Sequence, residues 1–202
     1  MKRRGVVLDR DGTLIDFHRD EELGAIVSAF DPRQIRLLPG VVDGLRTLVE
    51  AGFVLAIATN QPGAAKGQVS RAAIERTNLA LVERLGDLGA PISDVRVCWH
   101  HPEGGPGGDP ALAFDCDCRK PKPGLLNDLA ASLALDPAES FMLGDGLVDV
   151  AAGAAAGFRT ALLWDARRCE FCPLKGGPGV AADLRGPTIA ELAPAIVALA
   201  RA

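Results

Sequence analysis

The sequence lacks long apolar runs and a surplus of positive charge. No apolar run approaches the ~18 residues that a membrane-spanning helix needs, although 48% of the 202 residues are hydrophobic. We therefore expect no membrane association. A formal net charge of −4 argues against a general nucleic-acid binder, which would carry a basic surplus or stripe. Any anionic ligand must be held by a local site.

The sequence also shows no export signal. The N-terminal stretch MKRR is basic, but the apolar run behind it is far shorter than the hydrophobic region of a signal peptide. We therefore expect a cytoplasmic protein, in which the five cysteines are more often metal ligands or free thiols than disulfides. The length predicts a single domain over residues 1–202. The oligomeric state is not indicated by any pattern in the sequence.

Short apolar runs alternate with helical patterns along the chain. The runs VVL, FVLAIAT, VRVCW, FML and TALLW are typical of strands buried on both faces. Apolar residues keep helical spacing in VVDGLRTLVEAG, PGLLNDLAASLAL and TIAELAPAIVALA, the last opening with a capping-box pattern. The alternation predicts an α/β Rossmann-like fold of three layers, with a mainly parallel sheet between helices.

Three segments depart from this alternation. Residues 101–114 are rich in glycine and hold too few large apolar side chains to form a core of their own. Residues 165–186 are interpreted as a long loop carrying the pair CEFC, and residues 16–38 as loop with a short helix. Something other than hydrophobic burial must order residues 101–114.

Polar side chains follow three of the predicted strands. Asp9 and Asp11 follow VVL, Thr59 and Asn60 follow FVLAIA, and Asp145 follows FMLG. Ligands of parallel α/β sheets bind at the carboxyl ends of the strands, and close carboxylates repel unless a hard cation such as Mg²⁺ joins them. A carboxylate beside Mg²⁺ can attack a phosphoryl group and form an aspartyl phosphate, while a second acid handles the protons. The stretch CRKPKPG adds Arg119, Lys120 and Lys122 as cations for phosphate oxygens.

Cysteine and histidine flank the glycine-rich segment. Cys98, His100, Cys116 and Cys118 offer the four nitrogen and sulfur ligands of a tetrahedral zinc site. Zinc binding would order a loop that burial alone cannot order. His101 is an alternative to His100, and free thiols are an alternative to the whole site. For the separate pair Cys169 and Cys172 we favour free thiols over a disulfide or a metal site.

These motifs resemble those of the haloacid dehalogenase superfamily of phosphotransferases, in order and on the expected elements. DRDGTLI, ATN, the lysine of RKPKPG and GDGLVD are similar to its four motifs. The resemblance implies that Asp9 is the nucleophile and a Mg²⁺ ligand, and that Asp11 is the general acid/base with its backbone carbonyl on the metal. It further implies that Thr59 binds the phosphate, Lys120 neutralises it and Asp145 completes the metal site.

One subgroup of this superfamily contains heptose-1,7-bisphosphate 7-phosphatases and histidinol phosphatases, and it carries a similar C-x-H and C-x-C-R-K-P pattern that binds structural zinc. The resemblance implies a phosphorylated sugar as substrate, with D-glycero-D-manno-heptose 1,7-bisphosphate preferred and histidinol phosphate as the alternative. Heptose members usually have lysine where this chain has Gly146. Phosphoryl transfer to an alcohol and a non-catalytic zinc-containing binding module remain further alternatives.

Substrate contacts are predicted around the phosphate and in the loop after the first motif. No large cap domain is visible, so the site should be open and loops should select the substrate. Arg119 offers a planar fork suited to a second phosphate. Asp149 has two possible roles, support of the metal through its neighbours or a favourable charge in the first turn of a helix. The predicted substrate-contacting residues are Arg10, Phe17, His18, Arg19, Asp20, Thr59, Asn60, Gln61, Arg119 and Lys120.

Overall fold

A six-stranded parallel sheet forms the centre of the computed structural model, which describes residues 2–20, 24–163 and 181–200. In chain order the strands are β1 (Gly5–Leu8), β2 (His18–Asp20), β3 (Ala25–Val27), β4 (Val54–Asn60), β5 (Ile92–Cys98), β6 (Phe141–Gly144), β7 (Arg159–Leu163) and β8 (Leu184–Gly186). The main sheet has the order β5-β4-β1-β6-β7-β8 and all its neighbours pair in parallel. Strands β2 and β3 form a separate antiparallel hairpin.

Five α-helices are present in the described ranges. They are α1 (Val41–Glu50), α2 (Arg71–Asp87), α3 (Gly124–Ser132), α4 (Leu147–Ala155) and α5 (Ile189–Leu199), with 3-10 turns at Pro32–Gln34, Pro110–Leu112 and Pro137–Glu139. Helix α5 begins as its capping pattern predicts, because the Thr188 hydroxyl accepts a hydrogen bond from the Glu191 amide at 3.2 Å. No helix in these ranges is long and apolar enough to cross a membrane.

The sheet separates two apolar clusters, which confirms the three-layer α/β prediction. Val6 and Leu8 of β1 face a cluster that includes Leu45 of α1 and Ile196 of α5. Val7, whose side chain alternates to the opposite face, joins a cluster with α3 residues such as Leu126. Burial on both faces explains why the central strands are continuous apolar runs. The small β2–β3 hairpin and one 3-10 turn are the elements described between β1 and α1, and the described residues contain no large cap domain.

Two predicted loops contain strands that the sequence did not indicate. Residues 16–38 hold the β2–β3 hairpin as well as a short 3-10 helix, whereas only a short helix was predicted. Residues 184–186, at the end of the predicted long loop, form β8 and pair with β7. The Asp183 carboxylate anchors this strand by accepting hydrogen bonds from the backbone N–H and hydroxyl of Thr160. Strands of three residues are too short to show alternation. Cys169 and Cys172 lie outside the described residues.

The glycine-rich segment 101–114 packs against the loop that follows β4. The Asp109 amide donates to the carbonyl of Ala64 at 3.0 Å, and the His101 amide donates to that of Leu112 at 3.1 Å. A Cβ atom at Gly108 would overlap the carbonyl of Ala65, so glycine permits this close backbone approach. Backbone contacts therefore help to order the segment, in addition to the cysteine and histidine residues at its ends.

Candidate active site and zinc-type cluster

The predicted phosphate-site residues meet at one edge of the sheet. Strand β1 lies between β4 and β6, so Asp9 after β1, Thr59 in β4 and Asp145 after β6 come from three adjacent strand ends. Oxygen atoms of Asp9, Asp145 and Asp149 all lie within 4.8 Å of one another. The edge therefore carries a compact group of carboxylates, as the strand order requires.

Gly12 allows the first motif to approach the Asp145 carboxylate. Its φ of +83° lies in the left-handed region, and a Cβ atom at this position would overlap the Asp145 side chain. The neighbouring Thr13 hydroxyl donates to Asp145 Oδ1 at 3.4 Å. The glycine of the motif thus has a specific structural role that a plain turn would not require.

Lys120 offsets part of the negative charge of these carboxylates from within the protein. Its buried Nζ donates to Asp9 Oδ1 at 2.8 Å and to the Ala58 carbonyl at 2.7 Å, and it pairs with Asp149 Oδ1 at 2.6 Å. Burial would lower the pKa of Lys120, but the carboxylates of Asp149 and Asp9 outweigh burial and raise it. The lysine backbone is held by reciprocal hydrogen bonds with the Asn60 side-chain amide. Lys120 is therefore fully charged and fixed in position.

The structure shows one of the two roles that were open for Asp149, the negative charge in the first turn of a helix, and support of the metal stays a prediction. It lies in the first turn of α4, where Oδ2 accepts a hydrogen bond from the Gly146 amide at 3.0 Å. Its other oxygen pairs with Lys120. Burial raises the pKa of Asp149 to about 6, against the opposing effect of the lysine ammonium. Asp149 thus caps a helix and orients the lysine that contacts Asp9.

Asp11 is held by a forked arginine and an amide. Arg10 donates from Nε to Asp11 Oδ2 at 2.9 Å and from Nη2 to Oδ1 at 3.0 Å. Gln61 Nε2 donates to Asp11 Oδ2 at 2.6 Å and to the hydroxyl of Thr59 at 2.9 Å. Burial raises the pKa of Asp11, opposed by Arg10, and the nearby Asp9 charge raises it further. A raised pKa suits a group that must carry a proton during turnover.

Three residues predicted to contact substrate are engaged with protein groups. Arg10 is 1% exposed, and its donors are directed to Asp11, Asn78 and the Ala29 carbonyl. This placement speaks against a direct substrate contact for Arg10, because the buried guanidinium is already paired. Asn60 and Gln61 likewise hold Lys120 and Asp11. Asn60 and Gln61 thus fix the positions of Lys120 and Asp11, and the substrate contacts predicted for Asn60, Gln61 and Lys120 stay predictions.

The predicted substrate-selecting loop forms the start of the hairpin. Phe17 is exposed and precedes β2, and the ring of His18 packs edge-on against Phe30 with centroids 6.4 Å apart. Arg19 is exposed within β2, and Asp20 ends that strand. Before the hairpin, Asp11 and Ile15 pair in an isolated β-bridge. The role of these four residues in substrate selection stays a prediction.

A compact cluster beside the predicted phosphate site is formed by Cys98, His100, Cys116 and Cys118. The sulfur atoms of Cys98 and Cys116 lie 3.6 Å apart, and those of Cys116 and Cys118 lie 3.3 Å apart. His100 Nδ1 lies 3.2 Å from Cys118 Sγ and 3.8 Å from Cys98 Sγ. Zinc bonds of about 2.0 to 2.3 Å place tetrahedral ligand atoms roughly 3.3 to 3.8 Å apart. The donor set and its spacing fit zinc, with His100 rather than His101 among the donors.

The cluster is connected directly to the segment that is predicted to bind the phosphate. Arg119, which follows the last cysteine, donates from Nη1 to the His100 carbonyl at 3.3 Å. The ring of His100 also packs against Phe114, with centroids 4.4 Å apart. Lys120 comes next in the chain, so any ion held by the cluster fixes the segment that carries both cations.

The cluster of three carboxylates at the sheet edge is suited to binding a divalent cation. Asp9, Asp145 and Asp149 with the ammonium of Lys120 leave two formal negative charges at one place. Carboxylate oxygens of this kind are preferred by Mg²⁺, which also retains waters. The Asp11 side chain is taken up by Arg10 and Gln61, which agrees with the expectation that only its backbone carbonyl serves the metal.

Sequence patterns did not reveal two members of the site. Asn78 of α2 accepts from Arg10 Nη1 at 2.7 Å, and the carbonyl of Ala58 accepts from Lys120. A backbone carbonyl leaves no trace in the sequence. For Asn78 the signal was a polar residue on the apolar side of a helix, between Ile74 and Leu81.

Comparisons with known proteins agree with this geometry. The HAD-hydrolase-like family model matches residues 117–165. A D-glycero-beta-D-manno-heptose-1,7-bisphosphate 7-phosphatase of Rhodopseudomonas palustris is 36% identical over 156 residues, covering 77% of this chain and 81% of that protein. The protein of the same name from Escherichia coli K12 is 35% identical over 158 residues, covering 78% and 77%. The crystal structure of D,D-heptose 1,7-bisphosphate phosphatase from B. bronchiseptica, in complex with magnesium and phosphate, superimposes with a TM-score of 0.76 at 25% identity, covering 97% of this chain and 99% of that one.

Proposed function

The chain belongs to the heptose-1,7-bisphosphate 7-phosphatase family of HAD-like hydrolases, and from this premise we propose that it removes the 7-phosphate of D-glycero-D-manno-heptose 1,7-bisphosphate. It is a magnesium-dependent phosphatase that also has the donors of a zinc site. The observation that carries the proposal is the contact of Asp9 with Lys120 within a cluster of three carboxylates, beside a segment with a second cation, Arg119.

The chain supplies a nucleophile and a proton carrier at adjacent positions. A carboxylate oxygen of Asp9 attacks the phosphorus, and the bond from phosphorus to the sugar oxygen breaks as Asp11 gives that oxygen its proton. Asp11 then takes a proton from water, whose oxygen attacks the phosphorus, and the bond to Asp9 breaks to release phosphate. Bound Mg²⁺ supplies charge neutralisation at the phosphoryl oxygens and at Asp9.

Lys120 acts on the nucleophile rather than as a mobile cation. Its three donors reach Asp9, Asp149 and the Ala58 carbonyl, so its position is set by buried groups before substrate arrives. Such a fixed charge costs no reorganisation during the reaction. Thr59 is buried next to Gln61, and its hydroxyl is the remaining phosphate-binding group of the second motif.

Arg119 is the residue that we assign to the second phosphate of the substrate. It is half-buried and steadied by the His100 carbonyl, directly before Lys120. A planar guanidinium suits bidentate contact with a phosphate. Gly146 caps α4 with its amide and adds no charge, so we expect a smaller preference for a bisphosphate than a lysine at this position would give.

A substrate comparison tests the proposal. We would measure kcat/KM with Mg²⁺ for heptose 1,7-bisphosphates of both anomers, heptose 7-phosphate and histidinol phosphate. We expect the bisphosphate to be preferred over the monophosphate, and Arg119→Ala to remove most of that preference. Lys122→Ala is the matched control, because it removes one positive charge from the same segment where Lys122 pairs with exposed Asp115.

Two outcomes would contradict the substrate assignment. Equal kcat/KM for the heptose bisphosphate and monophosphate would remove the role of Arg119, and a clear preference for histidinol phosphate would replace the substrate. Either result leaves the phosphatase chemistry intact.

We further propose a cytoplasmic location, because the thiols of Cys98, Cys116 and Cys118 are not paired as disulfides and a reducing compartment keeps zinc ligands reduced.

A further inference from the structure

Arg10 is a buried charge whose donors all point into the protein. Its guanidinium holds Asp11 with two hydrogen bonds and also donates from Nη2 to the Ala29 carbonyl at 2.8 Å. Nη1 donates to Asn78 Oδ1 at 2.7 Å. Burial of an arginine is costly unless its charge and donors are matched. The side chain therefore has one stable orientation, and Asp11 shares it.

Asn78 is placed where a helix would ordinarily bury an apolar residue. It lies in the middle of α2, 7% exposed, between the buried residues Ile74 and Leu81. Asparagine is a weak helix former, and a buried amide is unfavourable without a partner. Its amide oxygen lies 68 positions along the chain from the guanidinium that it accepts from. Neither helix formation nor core packing accounts for this residue.

We propose that Asn78, acting through Arg10, is a positioning residue that holds the Asp11 carboxylate in the orientation needed for proton transfer. The inference rests on the phosphatase function proposed above, and it changes the interpretation of Arg10 from a substrate contact to part of this support. The Ala29 carbonyl supports the same guanidinium from the segment after β3. Two separate parts of the chain thus set the direction of the proton carrier.

The proposal makes a specific demand on the leaving group. Asp11 protonates the sugar oxygen as it departs, whereas 4-nitrophenolate leaves without a proton near neutral pH. Because kcat/KM reports the steps up to formation of the phosphorylated enzyme, a displaced Asp11 should lower it for a sugar phosphate much more than for 4-nitrophenyl phosphate. General loosening of the fold would instead lower both values alike.

Asn78→Leu is the primary test, with kcat and KM measured for both substrates on the full-length, metal-loaded protein. We expect kcat/KM for the sugar phosphate to fall about tenfold, below the ~100-fold to 10,000-fold value of a complete acid/base. For 4-nitrophenyl phosphate we expect less than about a twofold change, with KM for the sugar phosphate nearly constant. Thr77→Val is the matched control, because Thr77 is buried on the same helix and its hydroxyl donates to the Ala73 carbonyl of that helix.

Two further variants keep the test decisive if Asn78→Leu does not fold. Asn78→Asp retains an acceptor for Arg10 and should keep a ratio of the two kcat/KM values close to wild type. Arg10→Lys retains the charge but loses the fork, and should shift the ratio in the same direction as Asn78→Leu. Equal losses on both substrates, or a rise in KM without loss of kcat, would overturn the positioning role. A wild-type protein that hydrolyses neither substrate would refute the proposed function instead.

Discussion

Replacing Lys120 by Met should destabilise the protein strongly. The change removes the cation that pairs with the buried carboxylate of Asp149. The side chains of Lys120 and Asp149 are 2% and 3% exposed and their charged atoms lie 2.6 Å apart. Breaking a buried ion pair by removal of one partner costs about 3 to 5 kcal/mol, because the other charge stays buried. For a protein of this size that loss corresponds to a fall in Tm of about 6 to 20 °C.

The assay is urea unfolding followed by far-UV circular dichroism, with zinc saturated and no added magnesium. Lys122→Met is the matched control, since Lys122 pairs with Asp115 at 2.7 Å but the two side chains are 41% and 69% exposed. A pair this exposed contributes little to stability. The double variant Lys120→Met with Asp149→Leu should recover much of the loss, because apolar replacement of both partners leaves no unpaired charge between them.

The result that would refute this reasoning is a loss for Lys120→Met no larger than that for Lys122→Met. A double variant less stable than Lys120→Met alone would also contradict it. Either outcome would mean that the buried pair does not govern the stability of this edge of the sheet.

Two more predictions concern the glycine turn and the zinc-type cluster. Gly12→Ala should lower both kcat and the apparent affinity for Mg²⁺, because the new Cβ atom would overlap the Asp145 carboxylate. Gly52→Ala is the control, since Gly52 has a similar φ of +84° but no atom within 4 Å of the new Cβ, and it should change stability only. Equal kinetics for the two variants would contradict the prediction. Cys116→Ser should reduce bound zinc from about one per chain to none. It should also accelerate hydrogen exchange in residues 101–122 more than in the sheet. An even acceleration throughout the protein would rule out a local role of the cluster in ordering this segment.

The sequence was sufficient for five of the six strands of the main sheet, all except β8, and for the polar residues at their ends. Strands buried on both faces must be continuous apolar runs, so each run and the polar residue that ends it could be identified directly, as in the passage from Leu8 to Asp9. The zinc-type ligands lie in two close pairs, so their geometry is mostly local. The prediction of a magnesium site depended only on strand ends meeting at one edge.

Features that depend on distant contacts could not be predicted in this way. Helix α2 has the polar residues Thr77 and Asn78 at buried positions. These residues weaken the apolar periodicity by which a helix is recognised in a sequence. Arg10 was predicted to contact the substrate, and its orientation in the structure depends on Asn78 and Ala29, which are distant in sequence. Segment 101–114 is ordered partly by backbone approach to the loop after β4, and composition does not encode such an approach.

Trapping of the phosphorylated enzyme tests most directly whether Asp9 is the nucleophile. The Mg²⁺-loaded protein would be mixed with substrate, quenched, reduced with borohydride and mapped by peptide mass, since borohydride converts an aspartyl phosphate to homoserine. We predict homoserine at position 9 in wild type and none in Asp9→Asn, which should stay folded because Lys120 keeps its contacts with Asp149 and Ala58 but should lose turnover. Modification at another residue, or retained turnover in folded Asp9→Asn, would contradict the mechanism.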